Sequence, residues 1–336
     1  MAKGSSKYTN IYKVVTSTNY FLYIFIGGRR IGKTYSMLSN CLFNNERIIY
    51  LRRTGEQLEN SCTEIANPYK AININEGTNV HIDQVKKACL IYNEKEETKD
   101  IVGYGMALST FGNLRGADFS DVEFIVFDEF INTAPVNSLK KESWLLFNLI
   151  ATVNNTREIE GKKPVKVVLI SNAETIDDDI IRSLSLADKI QAMNETNNTV
   201  YTDDERGLYL ALLENKKVRD LMSETALYKL TKGTTFYDMA LNNEFTRDYF
   251  GDVGKLDYRE LKPVCAFNKY YFYEHKSKDL LFVSYRKANC PVYDDRSIKV
   301  FKRQYGYKIL WYMEAGICLY ADYNIKLSVK EVFKNG

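Results

Sequence analysis

A chain of 336 residues, 45% hydrophobic and 26% charged, is long enough for two domains and carries ample apolar side chains for their cores. Its formal charge of +3 is too small to show nucleic-acid binding, and six scattered cysteines with no CxxC, beside only His81 and His275, suggest neither a zinc site nor a disulfide framework nor a His-based triad. The polar opening MAKGSSKYTN and the lack of any apolar run long enough to span a bilayer lead to the expectation of a cytoplasmic protein with no membrane partner.

The apolar, aromatic run from Tyr20 to Ile26 reads as a buried strand. It feeds into Gly27-Gly28-Arg29-Arg30-Ile31-Gly32-Lys33-Thr34, which fits GxxxxGK[ST]. The glycines let the backbone curl so that its N–H groups face phosphate oxygens. A helix opening near Lys33 turns the positive end of its dipole toward the same anion. Lys33 is placed to reach the β- and γ-phosphates of ATP, and the Thr34 hydroxyl to ligate Mg²⁺. Arg29 and Arg30, inside the loop, carry no general assignment.

Arg47 to Arg53 predicts a second core strand, with a helix near Gly55 to Ile65. Arg52 and Arg53 end that strand and are candidates to pair with Glu129 or contact nucleotide; the plainer alternative is a surface ion pair. Alternation between Val80 and Leu108 predicts antiparallel strands forming an insertion. A polar loop, FGNLRGADFSD, carries Arg115 and leads into VEFIVFDEF, Val122 to Phe130, a buried strand ending in Asp128 and Glu129. An Asp at such a strand end can hold the magnesium shell, and a Glu beside it can deprotonate a water attacking the γ-phosphate.

Trp144 to Val153 reads as a largely buried helix, followed by Arg157 in a polar loop. Lys166 to Ile170 is another buried strand, ending at Ser171-Asn172. Asn172 is placed to sense the γ-phosphate or the attacking water, unless it is simply a strand-end turn residue. Strand and helix alternate, so the expected fold is α/β with a mostly parallel sheet and ligands at the carboxyl ends of the strands. Thr196 to Asp204 is polar and reads as a boundary; Arg206 to Leu230 reads as helical. From about Thr234 the texture becomes rich in Tyr and Phe with alternating runs, indicating a second domain with β-structure. From Lys255 onward there are 16 Lys and Arg against 9 Asp and Glu, a net of +7 against +3 for the whole chain, so the preceding part carries −4. That asymmetry suits a polyanionic partner as well as a merely solvated basic surface. The acids in this half form no strand-borne cluster of the kind two-metal cleavage needs.

GGRRIGKT, YLRR, FIVFDEFI and LISNA, in this order and spacing, resemble the genome-packaging ATPases of small short-tailed double-stranded DNA phages, the picovirus-type, phi29-like encapsidation proteins. The resemblance covers the first domain well; beyond it, length and texture carry it. It implies an additional-strand (ASCE) P-loop ATPase domain at 1–197, a small helical linker at 198–232, and at 233–336 a smaller α+β, ribonuclease-H-like domain that has lost its metal acids and grips nucleic acid. It implies Lys33 and Glu129 as catalytic, Asp128 with Thr34 as the magnesium site, and a basic residue acting on the neighbouring subunit's nucleotide. Two family locations supply that residue. Here the first holds Arg115; the second keeps Arg157, with Asn155 at its other position. The implied assembly is a pentameric ring of this chain on the portal of an empty capsid, with double-stranded DNA and a structural RNA among its partners. It would work in host cytoplasm, transiently on the capsid, and be missing from the mature virion. The expected function is ATP-driven DNA translocation; a helicase-like motor, a packaging enzyme with a live nuclease, and a non-catalytic nucleotide-binding assembly factor are the alternatives.

Overall fold

Strands buried on both faces need apolar side chains at every position, and the strand before the GxxxxGKT loop has them. The computed structural model describes residues 8–95, 98–114, 118–131, 139, 141–155, 157–173, 175–242 and 251–334. The chain forms two units, Met1–Asp179 with Met193–Thr246, and Ile180–Ala192 with Arg247–Gly336.

The first unit contains α1 (Ile11–Ser17), β1 (Leu22–Gly27), α2 (Lys33–Phe43), β2 (Arg47–Arg52), α3 (Gly55–Ser61), α4 (Lys70–Glu76), β3 (Val80–Val85), β4 (Ala88–Lys95), β5 (Thr98–Ala107), β6 (Val122–Asp128), α5 (Glu142–Asn154) and β7 (Lys166–Ser171). Then α6 (Asp179–Ser183) and α7 (Ala187–Thr196) carry the chain out and back, and β8 (Val200–Asp203), β9 (Leu208–Leu213), α8 (Lys216–Ser223), α9 (Ala226–Leu230) and α10 (Thr235–Asn242) complete the unit. Its strands form one sheet in the order β3-β4-β5-β2-β6-β7-β1-β9-β8. The strands β5, β2, β6, β7, β1 and β9 pair in parallel. Tyr23 and Phe25 are buried with one cluster, while Ile24 and Ile26, on the opposite face by strand alternation, are equally buried. The expected mostly parallel α/β sheet is present, and β7 lies between β1 and β6, the additional-strand arrangement.

Three local expectations are corrected. Arg206 to Leu230 is helical only from α8 onward: its first part is β9, which pairs along β1 from Leu22↔Leu208 to Gly27↔Leu213. A strand buried on both faces is a continuous apolar run, which periodicity cannot separate from a buried helix. The polar stretch before it is the antiparallel edge strand β8, whose side chains are half-exposed or exposed, so residues 198–213 are part of the sheet and no helical linker. Second, β3, β4 and β5 are antiparallel as expected, but β5 also pairs in parallel with β2, so they extend the main sheet. Third, α5 is less buried than its composition suggests: Trp144 is 56% and Phe147 39% exposed.

The second unit holds β10 (Leu261–Phe267), β11 (Tyr270–His275), β12 (Leu281–Ser284), β13 (Val292–Tyr293), α11 (Ile298–Phe301), α12 (Tyr307–Glu314), β14 (Cys318–Tyr320) and α13 (Tyr323–Lys334). A π-helical stretch, Lys302–Gly306, joins α11 to α12. Its sheet runs β13-β10-β11-β12-β14, with an antiparallel β10-β11-β12 meander flanked by parallel strands. At its core Phe301 stacks on Phe267 and packs at a tilt against Phe272. This α+β sheet is consistent with the ribonuclease-H-like expectation.

Candidate active site

Strand order brings the singled-out residues of the first unit together. Because β1, β7, β6 and β2 are parallel neighbours, the loop after β1, Asn172 after β7, Asp128-Glu129 at the end of β6 and Arg52-Arg53 at the end of β2 meet at one edge. They line or border a cavity of about 660 Å³, within the range of small-molecule sites.

The loop is held from below. A Cβ on Gly27 would lie 2.6 Å from the Leu213 carbonyl, so β9 can pass close only because Gly27 has no side chain. Ile31 is buried against Val218, Met222 and Tyr228 and anchors the loop's middle. Gly32 caps α2 with φ +97°, a left-handed conformation that glycine adopts without strain. The first N–H groups of α2 then point along its axis toward the loop.

Lys33 is buried, and its Nζ donates to the carbonyls of Gly27 (2.9 Å) and Gly28 (2.7 Å) and to Oδ1 of Asn172 (3.2 Å). Burial lowers its pKa to about 8, opposed by the charge of Asp128. The Thr34 hydroxyl donates to Asp128 Oδ1 at 2.9 Å, and Tyr50 to Asp128 Oδ2 at 3.3 Å. Burial raises the Asp128 carboxyl, and Arg52 works against that rise. A hydroxyl beside a half-buried carboxylate is an all-oxygen donor set that suits a hard divalent cation, so Thr34 and Asp128 are chemically fit to hold Mg²⁺.

Glu129 sits at φ +57°, an uncommon conformation for a non-glycine residue and one costing about 1–3 kcal/mol. That backbone turns its side chain out of the sheet, where Oε2 accepts from Arg52 Nη2 at 2.7 Å. Arg52 Nη1 lies 3.8 Å from Asp128 Oδ2, so one guanidinium serves both acids. Tyr50 and Arg52 reach the same acids because they are two apart on one strand. Arg53 takes the other side: it donates to the Phe130 carbonyl, lies 3.5 Å from the Glu129 carbonyl, and pairs through Nε with Glu142 Oε1 at 2.9 Å. Both partners of that pair are buried.

Lys33, Thr34, Asp128, Glu129 and Asn172 are therefore assembled as expected from their motifs. Arg29 and Arg30 are exposed on the cavity rim. Arg157 is elsewhere. Its Nη2 donates to the carbonyls of Phe119 (3.1 Å), Ser120 (2.8 Å) and Val122 (2.5 Å), at the start of β6. A seven-residue strand of roughly 20 Å separates that point from Glu129 in the same chain. Arg115 lies outside the described residues. The sequence reading missed Tyr50, the Arg53–Glu142 strut, and the far wall of the cavity, formed by Tyr8, Tyr35, Ala71, Asn75 and Glu76. Period-two spacing from Arg52 was the one available signal for Tyr50; nothing local marks the others.

A model of the podovirus DNA encapsidation protein (Gp16) family matches residues 3–285. The chain belongs to this family. Within it, the chain is 27% identical over 235 residues to the DNA packaging protein of Bacillus phage phi29, covering 66% of this chain and 61% of that relative. It is 28% identical over 228 residues to that of Bacillus phage B103, covering 66% and 64%. The chain thus spans about three fifths of the length of the curated relatives it matches. Among solved structures, the bacteriophage Phi-29 viral genome packaging motor assembly is similar over 98% of this chain and 99% of that one, with a TM-score of 0.64 and 17% identity. The Phi-28 gp11 DNA packaging motor is similar over 95% and 96%, with a TM-score of 0.60 and 18% identity. At such identity the likeness is one of fold, and it extends through both units of this Gp16-family chain.

Proposed function

We propose that this chain is an ATP-hydrolysing motor subunit that drives double-stranded DNA into a preformed phage capsid. The observation that carries the reading is the convergence of Lys33, the Thr34–Asp128 pair and Glu129 on one cavity. The family assignment, and relatives named DNA packaging proteins, supply the DNA and capsid side of it.

In this mechanism the backbone of Gly27 to Gly32 and the start of α2 cradle the phosphates. Lys33 exchanges its carbonyl partners for phosphate oxygens, which are stronger partners for an ammonium. Thr34 and Asp128 would hold Mg²⁺, which would supply charge neutralisation on the phosphates. Glu129 takes the proton of the attacking water, for which it must leave Arg52. Asn172 registers the γ-phosphate state in this reading, which its bond to Lys33 supports. Arg115 or Arg157 stabilises the transferred phosphoryl charge from a neighbouring subunit of a ring, a pentamer by family likeness. For Arg157 this requires that its end of the unit face the neighbour's cavity, since it cannot reach its own.

The basic second unit grips DNA through phosphate contacts in this reading, and the portal and a structural RNA are its other partners. The exposed face carrying Lys299, Arg303, Tyr307 and Trp311 supports a polyanion-facing role. The work takes place in host cytoplasm on the empty capsid. The test is ATP turnover with and without DNA and empty capsids. Wild type is expected to turn over and Glu129→Gln to bind ATP without turnover; wild-type turnover by Glu129→Gln refutes the assigned base.

A further inference from the structure

The cavity extends past the phosphate loop to a wall that includes Tyr8, Tyr35, Asn75 and Glu76. On one side, Tyr8 packs over the loop: its Cβ lies 2.9 Å from where a Cβ on Gly32 would sit, and Thr9 N–H donates to the Ile31 carbonyl at 2.9 Å. On the other, the last turn of α4 ends at Gly77, with φ +67°, and presents Asn75 and Glu76. Tyr35, the residue after Thr34, spans the gap: its hydroxyl donates to Glu76 Oε1 at 3.0 Å. Because Tyr35 belongs to the first turn of α2, the position of α4's end is fixed relative to the phosphate loop.

We infer that this wall is the nucleoside end of the site, with Glu76 accepting the ribose hydroxyls and the rings of Tyr8 and Tyr35 flanking the sugar and base. The inference rests on the nucleotide reading above. A carboxylate offers about four lone-pair sites, and the Tyr35 hydroxyl uses one. A vicinal diol is a natural donor pair for those remaining, the same chemistry by which acidic side chains recognise ribose in dinucleotide folds. Tyrosine rings supply rigid apolar walls with a polar tip at little entropic cost. The catalytic groups Glu129 and Asn172 lie on the β6 and β7 side, so a triphosphate on the loop leaves the α4 side for its sugar.

The test is calorimetric binding of Mg-ATP, Mg-2′,3′-dideoxy-ATP and Mg-tripolyphosphate to the full chain. Wild type should bind ATP about 10- to 100-fold more tightly than the dideoxy analogue, the range for hydrogen bonds to a charged acceptor. Glu76→Ala should bring ATP down to the dideoxy level and leave the other two ligands unchanged. Glu76→Gln, which keeps the side chain's size, should fall between. Equal losses on all three ligands would mean a structural role for Glu76 and overturn the proposal. Wild type binding ATP and the dideoxy analogue alike would overturn it too, while leaving the nucleotide reading intact. Wild type binding none of the three would defeat both.

Discussion

Arg52 grips Glu129 by a 2.7 Å bond between side chains 77 residues apart in the chain. That contact occupies the Glu129 oxygen that would have to meet the attacking water, so the arrangement holds Glu129 away from its proposed task. Arg52→Ala should therefore narrow the ratio of DNA-stimulated to basal turnover. Glu129 is exposed, so the pair is worth no more than about 1 kcal/mol and the change in that ratio should be at most about fivefold. An unchanged ratio would show that the pair does not restrain the base.

Lys33 gives a pH dependence with a definite sign. With its pKa lowered to about 8, the nucleotide-free protein loses the ammonium above that pH. ATP affinity should then drop about tenfold per pH unit above about 8, and binding at pH 8.5 should take up protons. Calorimetry in buffers of different ionisation enthalpy measures that uptake; no uptake would mean the lysine is charged before ATP arrives. For folding the trend reverses. The unfolded chain binds the proton more tightly, so this group's contribution to stability rises between about 8 and 10.5.

The Arg53–Glu142 strut predicts a stability loss. Arg53→Ala leaves a buried carboxylate and the Phe130 carbonyl without their partner, which costs about 3–5 kcal/mol. In a unit of this size that lowers Tm by roughly 6–20 °C. Burial also raises Glu142 to about 8, against the pull of Arg53. A Tm within 2 °C of wild type for Arg53→Ala would contradict the estimate.

Arg157 separates two roles. If it acts on a neighbour, Arg157→Ala subunits mixed with Glu129→Gln subunits should recover turnover that neither has alone, because a mixed ring pairs an intact arginine with an intact base. If it serves only to clamp Phe119, Ser120 and Val122, no mixing ratio will restore activity and the single variant will unfold earlier.

Phosphate contacts by the second unit predict a steep fall of DNA affinity with salt. Replacing Lys299 and Arg303 together by Ala should lower the log–log salt slope by about 2. An unchanged slope would remove this face from the contact.

Local chemistry made the motifs readable. A phosphate loop needs glycine, lysine and threonine at fixed offsets, and a strand ending in Asp128-Glu129 is a short-range pattern, so both stand out in the chain without knowledge of its path. Those residues set the fold class and the candidate chemistry. Pairing across the sheet decided the rest. Hydrogen-bond order put β7 between β1 and β6 and drew β9, which reads as helix, against β1 as a strand. Only that order brings Arg52 to Glu129, Arg53 to Glu142 and α4 to the far wall of the cavity, and sends Arg157 to the opposite end of β6. Each of these meetings joins residues far apart in sequence, where periodicity and spacing carry no signal and the closing of the packed sheet does.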